Sequence, residues 1–522
     1  MSKSYDDIVI GAGHNGLACA LDLARKGRKV LVLESADAAG GAARMRELAP
    51  GFKVPGCAHL LHALPQALVA DFELEKHGLR FAAKGMPTQA LFADGRKALR
   101  IDAQSVQGGD IAAADITRYA DFRGRMNRYA EVLQTLLATV PPNMSLQSWS
   151  ERFSMLGLGL RVRRLGKTGM RELLRIAGMN AYDLLDDEFR HAGLKGAIAF
   201  DASLGAEYGP RSPGTVLTWL YRLAGEAGAG TLGTAQPVGG IGAVADAMVS
   251  ALKARGGEVR LNARVERIVV EKDQACGVRL VGGEQIAARS VISSTDLRGT
   301  FLGMLGAEHL DTGFVRRVDH HRAKGLVAKL HLALSAAPSF LGLASNELGG
   351  RLLISPEMDY VENAFNPSKY RELPEHPALE ISVPTANDPS LAPRGQHVMS
   401  VLVQFVPYDL GSDPEGAKRE LEKRVMATLE RHAPGIGRLV VKSELLTPSD
   451  IEREYGLAGG HWHNGALSFD QFFINRPLPG AHQYSCPMPG LYLCGAASHP
   501  GGSLMGFAGR NAARQVLAAE AA

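Results

Sequence analysis

The residues best suited to chemistry stand near the N-terminus. Gly11-Ala12-Gly13-His14-Asn15-Gly16 has the spacing GxGxxG, and Glu34 follows it. Each position has a physical task. Gly11 permits the tight turn out of a strand, Gly13 lets backbone approach a pyrophosphate, and Gly16 lets helix and strand pack closely. The helix N-terminus offers N–H groups to the anion. A carboxylate roughly twenty residues on accepts hydrogen bonds from ribose hydroxyls and disfavours a 2′-phosphate. The chemistry implied is dinucleotide binding.

The residues after Glu34 discriminate between dinucleotides. Gly40-Gly41 is followed by Arg44. A glycine pair lets a loop lie over a diphosphate, and an arginine can neutralise it. This order suits FAD proteins of the glutathione-reductase type. No second GxGxxG follows a strand, so no built-in NAD(P)H domain is expected. Pro237-Val238-Gly239-Gly240-Ile241-Gly242, a helix and Val265-Glu266-Arg267-Ile268 form a second block. In such proteins the strand there runs beside the adenine, which makes Val265 the candidate contact. Near the C-terminus Gly490–Cys494 leads into Gly495-Ala496-Ala497-Ser498-His499-Pro500-Gly501-Gly502, and a helix starts near Gly506. Gly495 would let chain pass close to ribityl or phosphate, and Gly501 and Gly502 would let it pass over the ring. The helix N-terminus would favour negative charge on a reduced flavin.

Several side chains invite a chemical role. His499 precedes Pro500 where the ring should lie. His461 and His463 sit in GGHWHNG and would share a face if that segment were a strand. Only Asp470 is near enough in sequence to complete a metal set, so metal binding is not expected. His59 and His62 follow Gly56. His499, His463 and His59 are the candidates for catalysis. Flavin oxidation of a C–H bond needs position and dryness more than a strong base, so the catalytic residue is otherwise unassigned.

Those residues need elements to hold them. Asp7–Ile10 is a short apolar run, 17–25 has helical periodicity closed by Gly27, and 29–34 is a second buried-type strand, together a βαβ unit. Helical patterns fill 110–190, with a long stretch at 115–140 and another at 151–178. The latter carries Arg152, Arg161, Arg163, Arg164, Lys167, Arg171 and Arg175 among Phe153, Met155, Leu156, Leu158 and Leu160. It suits either a solvated helix or a flap on anionic lipid, and its glycines weaken it as a helix. A helix at 244–254 and strands at 258–261, 264–271, 277–280 and 290–293 follow. Strands at 325–334 and 397–406 and a helix at 415–432 occupy the middle region.

Composition sets the bounds. The chain has 522 residues, 46% hydrophobic and 21% charged, with net charge +4. That is a globular chain without the concentrated basic patch of a nucleic-acid binder. Five cysteines are scattered with no CxxC, which argues against a disulfide framework or a cysteine zinc site. MSKSYDD runs straight into an apolar strand without a signal-peptide pattern, and no spanning apolar run occurs. The expected address is the cytoplasm or another reducing compartment, with peripheral attachment at the inner membrane face left open.

Taken together, GAGHNGL (11–17), Glu34 with Gly40-Gly41, PVGGIGAVADAM (237–248), GGHWHNGALSFDQ (459–471) with Arg476-Pro477, and LYLCGAASHPGGSLMGFAGRNAA (491–513) resemble the phytoene desaturase-type FAD oxidoreductases. That group includes carotenoid desaturases and isomerases. GAGHNG and GGHWHNGALS are more similar to the branch of β-carotene ketolases and pyridine nucleotide-disulphide oxidoreductase domain-containing protein 2. The resemblance covers nearly the whole chain. It implies an α/β fold: a glutathione-reductase-like, Rossmann-type FAD domain (1–110, 235–300 and 440–522) with an inserted α+β substrate domain (111–234 and 301–439). It implies non-covalent FAD and chemistry on lipophilic polyenes, often at a membrane. The FAD set is then Gly11, Gly13, His14, Asn15, Gly16, Glu34, Gly40, Gly41, Arg44, Val265, Gly495, Ala496, Gly502 and Met505. One departure is notable: Ala42 and Ala43 stand between the glycine pair and Arg44, where the family usually has the arginine directly after the pair.

The expected partners are an apolar small molecule and oxygen or a quinone as electron acceptor, with no nucleic acid. Membrane contact and homo-oligomerisation stay open. Two rival functions remain: a flavin amine oxidase acting on a soluble amine, and a non-catalytic, partner-binding flavoprotein.

Overall fold

Alternating runs of buried β-branched and leucine residues build the first layer. Strand Tyr5–Ile10 lies parallel to Val30–Leu33 on one side and to Gln285–Ser293 on the other. Glu258–Arg260 extends the sheet beyond Val30–Leu33, and Leu491–Leu493 joins Gln285–Ser293 in parallel. The first part of Gln285–Ser293 leaves this sheet to pair antiparallel with Gln274–Leu280, which pairs with Val265–Glu271. Parallel strands buried on both faces read as continuous apolar runs, as VLVL at 30–33 does. The computed structural model describes residues 4–143, 149–503 and 505–521.

Helix His14–Ala24 is buried almost all round because three layers meet on it. It rests on the sheet and contacts helices Ala243–Ala254 and Phe507–Ala521. A Cβ at Gly509 would collide with the Asn15 carbonyl, so glycine sets how closely the last helix crosses the first.

The second sheet runs in the order Val440–Leu446, Val327–Leu334, His397–Gln404, Leu379–Ser382, Arg351–Ile354, Thr88–Ala90, Leu99–Ile101, Val106–Gln107. All its pairings are antiparallel except Arg351–Ile354 with Thr88–Ala90. The domain limits at 110 and 440 therefore differ from the pairing. Residues 88–107 and 440–446, expected in the FAD domain, hydrogen-bond into the second sheet. These short strands lack a periodic pattern of their own, and only partners far along the chain complete them.

Helices Ala113–Leu137, Ala192–Ser203 and Thr215–Ala229 cover one side of this sheet, with Phe122 stacked on Trp219 at 5.5 Å. The basic stretch at 151–178 falls in two helices, Trp149–Arg164 and Gly166–Ala177, broken at Gly166, where φ is +73°. That is a backbone conformation glycine adopts freely. No helix among the described residues is long and apolar enough to cross a membrane.

Candidate functional site

The GxGxxG loop has the geometry its spacing requires. The Gly11 N–H donates to the Leu33 carbonyl at 2.8 Å, closing the turn, and φ at Gly11 is +98°. A Cβ at Gly16 would collide with the Gly11 carbonyl oxygen, whereas a Cβ at Gly13 would meet nothing within 4 Å. Gly16 is thus required by packing and Gly13 by open space at a helix N-terminus, the place of a phosphate. Glu34 accepts from the Ala12 N–H at 2.8 Å and the Ala36 N–H at 3.0 Å, so the acid ties its own loop to the phosphate turn. Gly40 pairs with the same turn: its N–H donates to the Ala12 carbonyl at 2.9 Å, and φ there is +119°. Asn262 and Ala263 donate to the carbonyls of Ala36 and Glu34, which lays the approach to Val265 beside the ribose acid. His14 Nε2 and Asn15 Oδ1 are buried without partners at the helix start. Open space at Gly13 and an unobstructed helix N-terminus fit a bound FAD diphosphate.

Some expected contacts take other tasks. The Arg44 Nη2 donates to the Glu454 carbonyl at 2.9 Å, and the guanidinium lies over the Tyr455 ring at 5.1 Å. Only its Nε lacks a protein partner. The two alanines before Arg44 carry it past the turn toward this neighbour. Gly495 packs against Ser294 and Thr295, and Gly502 against Trp462 and His463, closely enough that a Cβ would collide. Packing against neighbouring chain by itself requires glycine at both positions. The Ala496 carbonyl accepts from Arg476 Nη2 at 2.9 Å.

His499 does not line the cavity described below. Its Nε2 bonds to the Leu136 carbonyl at 3.0 Å and its ring packs on Phe473. It anchors the end of a helix. His461 and His463 lie in a turn, not a strand, so their shared face does not arise. The His463 N–H donates to His461 Nδ1 at 3.1 Å, and the Gly502 N–H donates to His463 Nδ1 at 3.0 Å. Both rings therefore carry their proton on Nε2. Burial drives both pKa values down, that of His461 to about 3. No group of three or more metal-ligating side chains occurs among the described residues.

Arg476 organises this region. Buried completely, its guanidinium donates to the carbonyls of His463, Ala466, Gln471, Ala496 and Ser498. Desolvation lowers its pKa to about 10, partly offset by Tyr221.

A chamber of about 1230 Å³, counting its open mouth, lies between the FAD loops and the second sheet. His14, Ala43, Ser503 and Met505 bound it on the cofactor side, and Leu204, Tyr221, Leu402, Trp462 and Leu467 on the other. One corner is polar. His59 Nε2 bonds to Glu380 Oε1 at 2.8 Å, and Arg351 donates to Glu380 and to Asp201, each at 2.5 Å. Burial works against the Glu380 charge, but Arg351 and His59 outweigh it and hold its pKa well below the carboxylate range. The His59 pKa falls to about 4, first through burial and then through Lys329, against the pull of Glu380. Lys329 is fully buried, and its Nζ has no hydrogen-bond partner. Burial brings its pKa down to about 7, with Glu380 and Cys57 opposing.

The sequence reading missed Lys329, Glu380, Arg351, Asp201 and Arg222. A signal was present: charges interrupt wholly buried strands in VAKLHLAL, RLLI and LEIS. Buried ionisable groups are seldom there without a partner or a task.

Comparison with known proteins gives the same picture. Residues 16–517 match the family of flavin-containing amine oxidoreductases. The chain is 32% identical over 547 residues to pyridine nucleotide-disulfide oxidoreductase domain-containing protein 2 of Mus musculus, covering 99% of this chain and 94% of that protein. It is 26% identical to the lycopene-forming phytoene desaturase of Pseudescherichia vulneris, covering 96% of each. Cyclohexylamine oxidase from Brevibacterium oxydans shares the fold, with a TM-score of 0.60 at 15% identity over the full length of both chains. The chain belongs to the flavin-containing amine oxidoreductase family, and it is an FAD-dependent oxidoreductase with affinity in sequence to the phytoene desaturases.

Proposed function

We propose that the protein dehydrogenates an apolar, carotenoid-like small molecule, with oxygen or a quinone as the final electron acceptor. The observation that carries this reading is the chamber: it abuts the FAD loops, and Leu60, Leu204, Leu402, Trp462, Leu467 and Met505 give it an apolar wall beside the polar corner of His59, Glu380 and Arg222. The phytoene desaturases among its relatives support the same substrate class. Bound FAD supplies the two-electron acceptor at its N5. The chain's own part is to hold and to dry. Gly13 and the start of helix His14–Ala24 receive the diphosphate, and Glu34 the ribose. Tyr221, donating to the Gly502 carbonyl at 2.7 Å, locks the glycine turn against the chamber wall. The neutral His461 and His463 add no charge to an apolar ligand's surroundings.

The same reading includes delivery from a membrane. Helices Trp149–Arg164 and Gly166–Ala177 expose Leu156, Leu160 and Leu174 among Arg161, Arg163, Arg164, Lys167 and Arg171. Apolar residues with cations are the pattern of a helix resting on anionic lipid. The side chains of Phe153 and Leu158 lie outside the described residues.

The test is anaerobic mixing of FAD-loaded protein with a solubilised polyene such as phytoene. Bleaching of the flavin's visible absorbance, with a matching shift in the polyene spectrum, is expected. Bleaching by soluble amines and not by any polyene would transfer the function to the amine oxidase reading.

A further inference from the structure

A second groove lies outside the chamber. It runs between helix Thr312–Asp319 with the turn behind it and the segment 470–479, and it holds about 940 Å³ counting the solvent at its mouth. The first segment contributes Arg316, Arg317, His320 and Arg322, and the second Pro477, Leu478 and Pro479. Gly313 stands one turn before the two leading arginines and leaves that stretch of the helix face without a side chain. The positive charge is not cancelled. Asp470 is the one carboxylate lining the groove among the described residues, and Arg322 Nη2 donates to both its oxygens at 2.8 Å. Asp319 is held by Arg298 at 2.8 Å, and Asp311 caps the helix by accepting from the Phe314 N–H at 2.9 Å. Among the described residues Arg316 and Arg317 have no ion-pair partner; both are exposed, and Arg317 lies over the Phe314 ring at 5.7 Å. The helix dipole accounts for cations in the last turn. It does not account for an apolar wall facing them.

The rim of the groove reaches the basic helices. Phe469, 55% exposed, immediately precedes Asp470, and its carbonyl accepts from the lining residue Asn475 at 3.3 Å. A Cβ at Gly214 would lie 3.4 Å from the Phe469 ring, and the Gly214 N–H donates to the carbonyls of Gly178 and Met179. Gly178 closes helix Gly166–Ala177, which exposes Leu174. Phe469 therefore links the groove to the end of that helix. Exposed leucine and phenylalanine beside unpaired cations are the composition of a surface that rests on anionic lipid. Arginine's planar fork matches the oxygens of a phosphate. An apolar wall facing the cations suits a phosphate carried on an apolar stem, which a free phosphate lacks.

We infer that this groove binds the headgroup phosphate of an anionic phospholipid when the basic helices rest on a membrane. The inference rests on the proposed delivery of substrate from a membrane. Arg316 and Arg317 donate to headgroup phosphate, and Phe469 enters the boundary between headgroups and acyl chains. The groove and the basic helices come from separate parts of the chain, so the two attachments together fix how the protein is oriented on the bilayer.

The experiment is sedimentation of FAD-loaded protein with vesicles of phosphatidylcholine and phosphatidylglycerol. Arg316→Gln with Arg317→Gln should weaken binding about thirtyfold, the scale of removing two cations from an anionic surface. The pair should keep the wild-type FAD content and melting midpoint. Arg316→Lys with Arg317→Lys keeps the charge but not the fork, and should recover only a minor part of the loss. Full recovery by lysine would reduce the arginines to diffuse attraction and overturn the headgroup site. Unchanged binding by the glutamine pair, with binding lost in Leu160→Glu with Leu174→Glu, overturns the groove and leaves the membrane reading standing. If the wild type does not bind these vesicles, both fall. Glycerol phosphate bound as tightly as the vesicles would make free phosphate the ligand and overturn the lipid. Tighter binding of polyglutamate than of the vesicles would point to an acidic protein partner and overturn it as well.

Discussion

At the scale of single residues, two glycines three positions apart do different work. Gly13 faces open space and Gly16 faces the Gly11 carbonyl. Gly13→Val should therefore leave the apoprotein's melting midpoint unchanged while abolishing FAD retention on gel filtration. Gly16→Ala should lower the midpoint of the apoprotein itself. Equal effects on the apoprotein would contradict the assignment of Gly13 to the cofactor. Lys329 yields a prediction in pH. Its folded pKa, about 7, lies below the ordinary 10.5. Between those values the unfolded chain binds a proton that the folded chain does not, so stability rises with pH across that window. The cost of the buried ammonium is full below about pH 7 and fades toward 10.5. Lys329→Met should melt higher than wild type at pH 6.5 by about a few degrees. The gap should close by pH 10; a gap independent of pH would contradict it.

At the scale of elements, the turn 459–477 is held by one side chain. Arg476 ties it to 496–498 through carbonyls alone. Lysine cannot span these acceptors, because its ammonium lacks the guanidinium's fork. Arg476→Lys and Arg476→Met should both cost about 3 kcal/mol or more by denaturant unfolding, since buried carbonyls lose their donors. Rescue by lysine would show that charge alone suffices. The basic helices make the second prediction. Leu174 is 73% exposed and Leu160 49%. Leu160→Glu with Leu174→Glu should reduce partitioning onto anionic vesicles by about tenfold per leucine, the scale of burying that side chain. Flavin reduction by a small soluble reductant should not change. Vesicle binding unaffected by both changes would remove the flap from the membrane.

At the scale of the whole molecule, the chain crosses repeatedly between the two sheets. Thr88–Ala90 leaves the FAD region to pair with Arg351–Ile354, and Val440–Leu446 pairs with Val327–Leu334 before the chain returns to Leu491–Leu493. The strands of each sheet alternate along the chain with those of the other. Unfolding should accordingly show a single thermal transition, with release of FAD fluorescence coincident with loss of far-UV ellipticity. Two separated transitions would mean that the halves fold independently. The chamber lies where these crossings meet, so its wall joins residues as distant in sequence as Ala43, Arg222 and Leu402.

Much of this was legible without the fold. The strand Tyr5–Ile10, helix His14–Ala24, the loop at 11–16 and Glu34 act through neighbours along the chain, where glycine spacing and apolar periodicity are direct physical signals. The basic stretch was legible only in part: it reads as one glycine-weakened segment, whereas it forms two helices parted at Gly166. What was not legible depends on partners hundreds of residues away. His499 reads as a flavin contact by position, yet it bonds to the Leu136 carbonyl. The close packing of Gly502 on Trp462 and His463 has no signal along the chain. Lys329 and Glu380 drew no reading from the sequence, because only the sheet brings them beside His59 and Arg351. Local spacing determines which loop can hold a phosphate, because that geometry closes within one βαβ unit. Burial, tautomer and charge pairing are properties of the assembled interior, and the tertiary structure alone decided them.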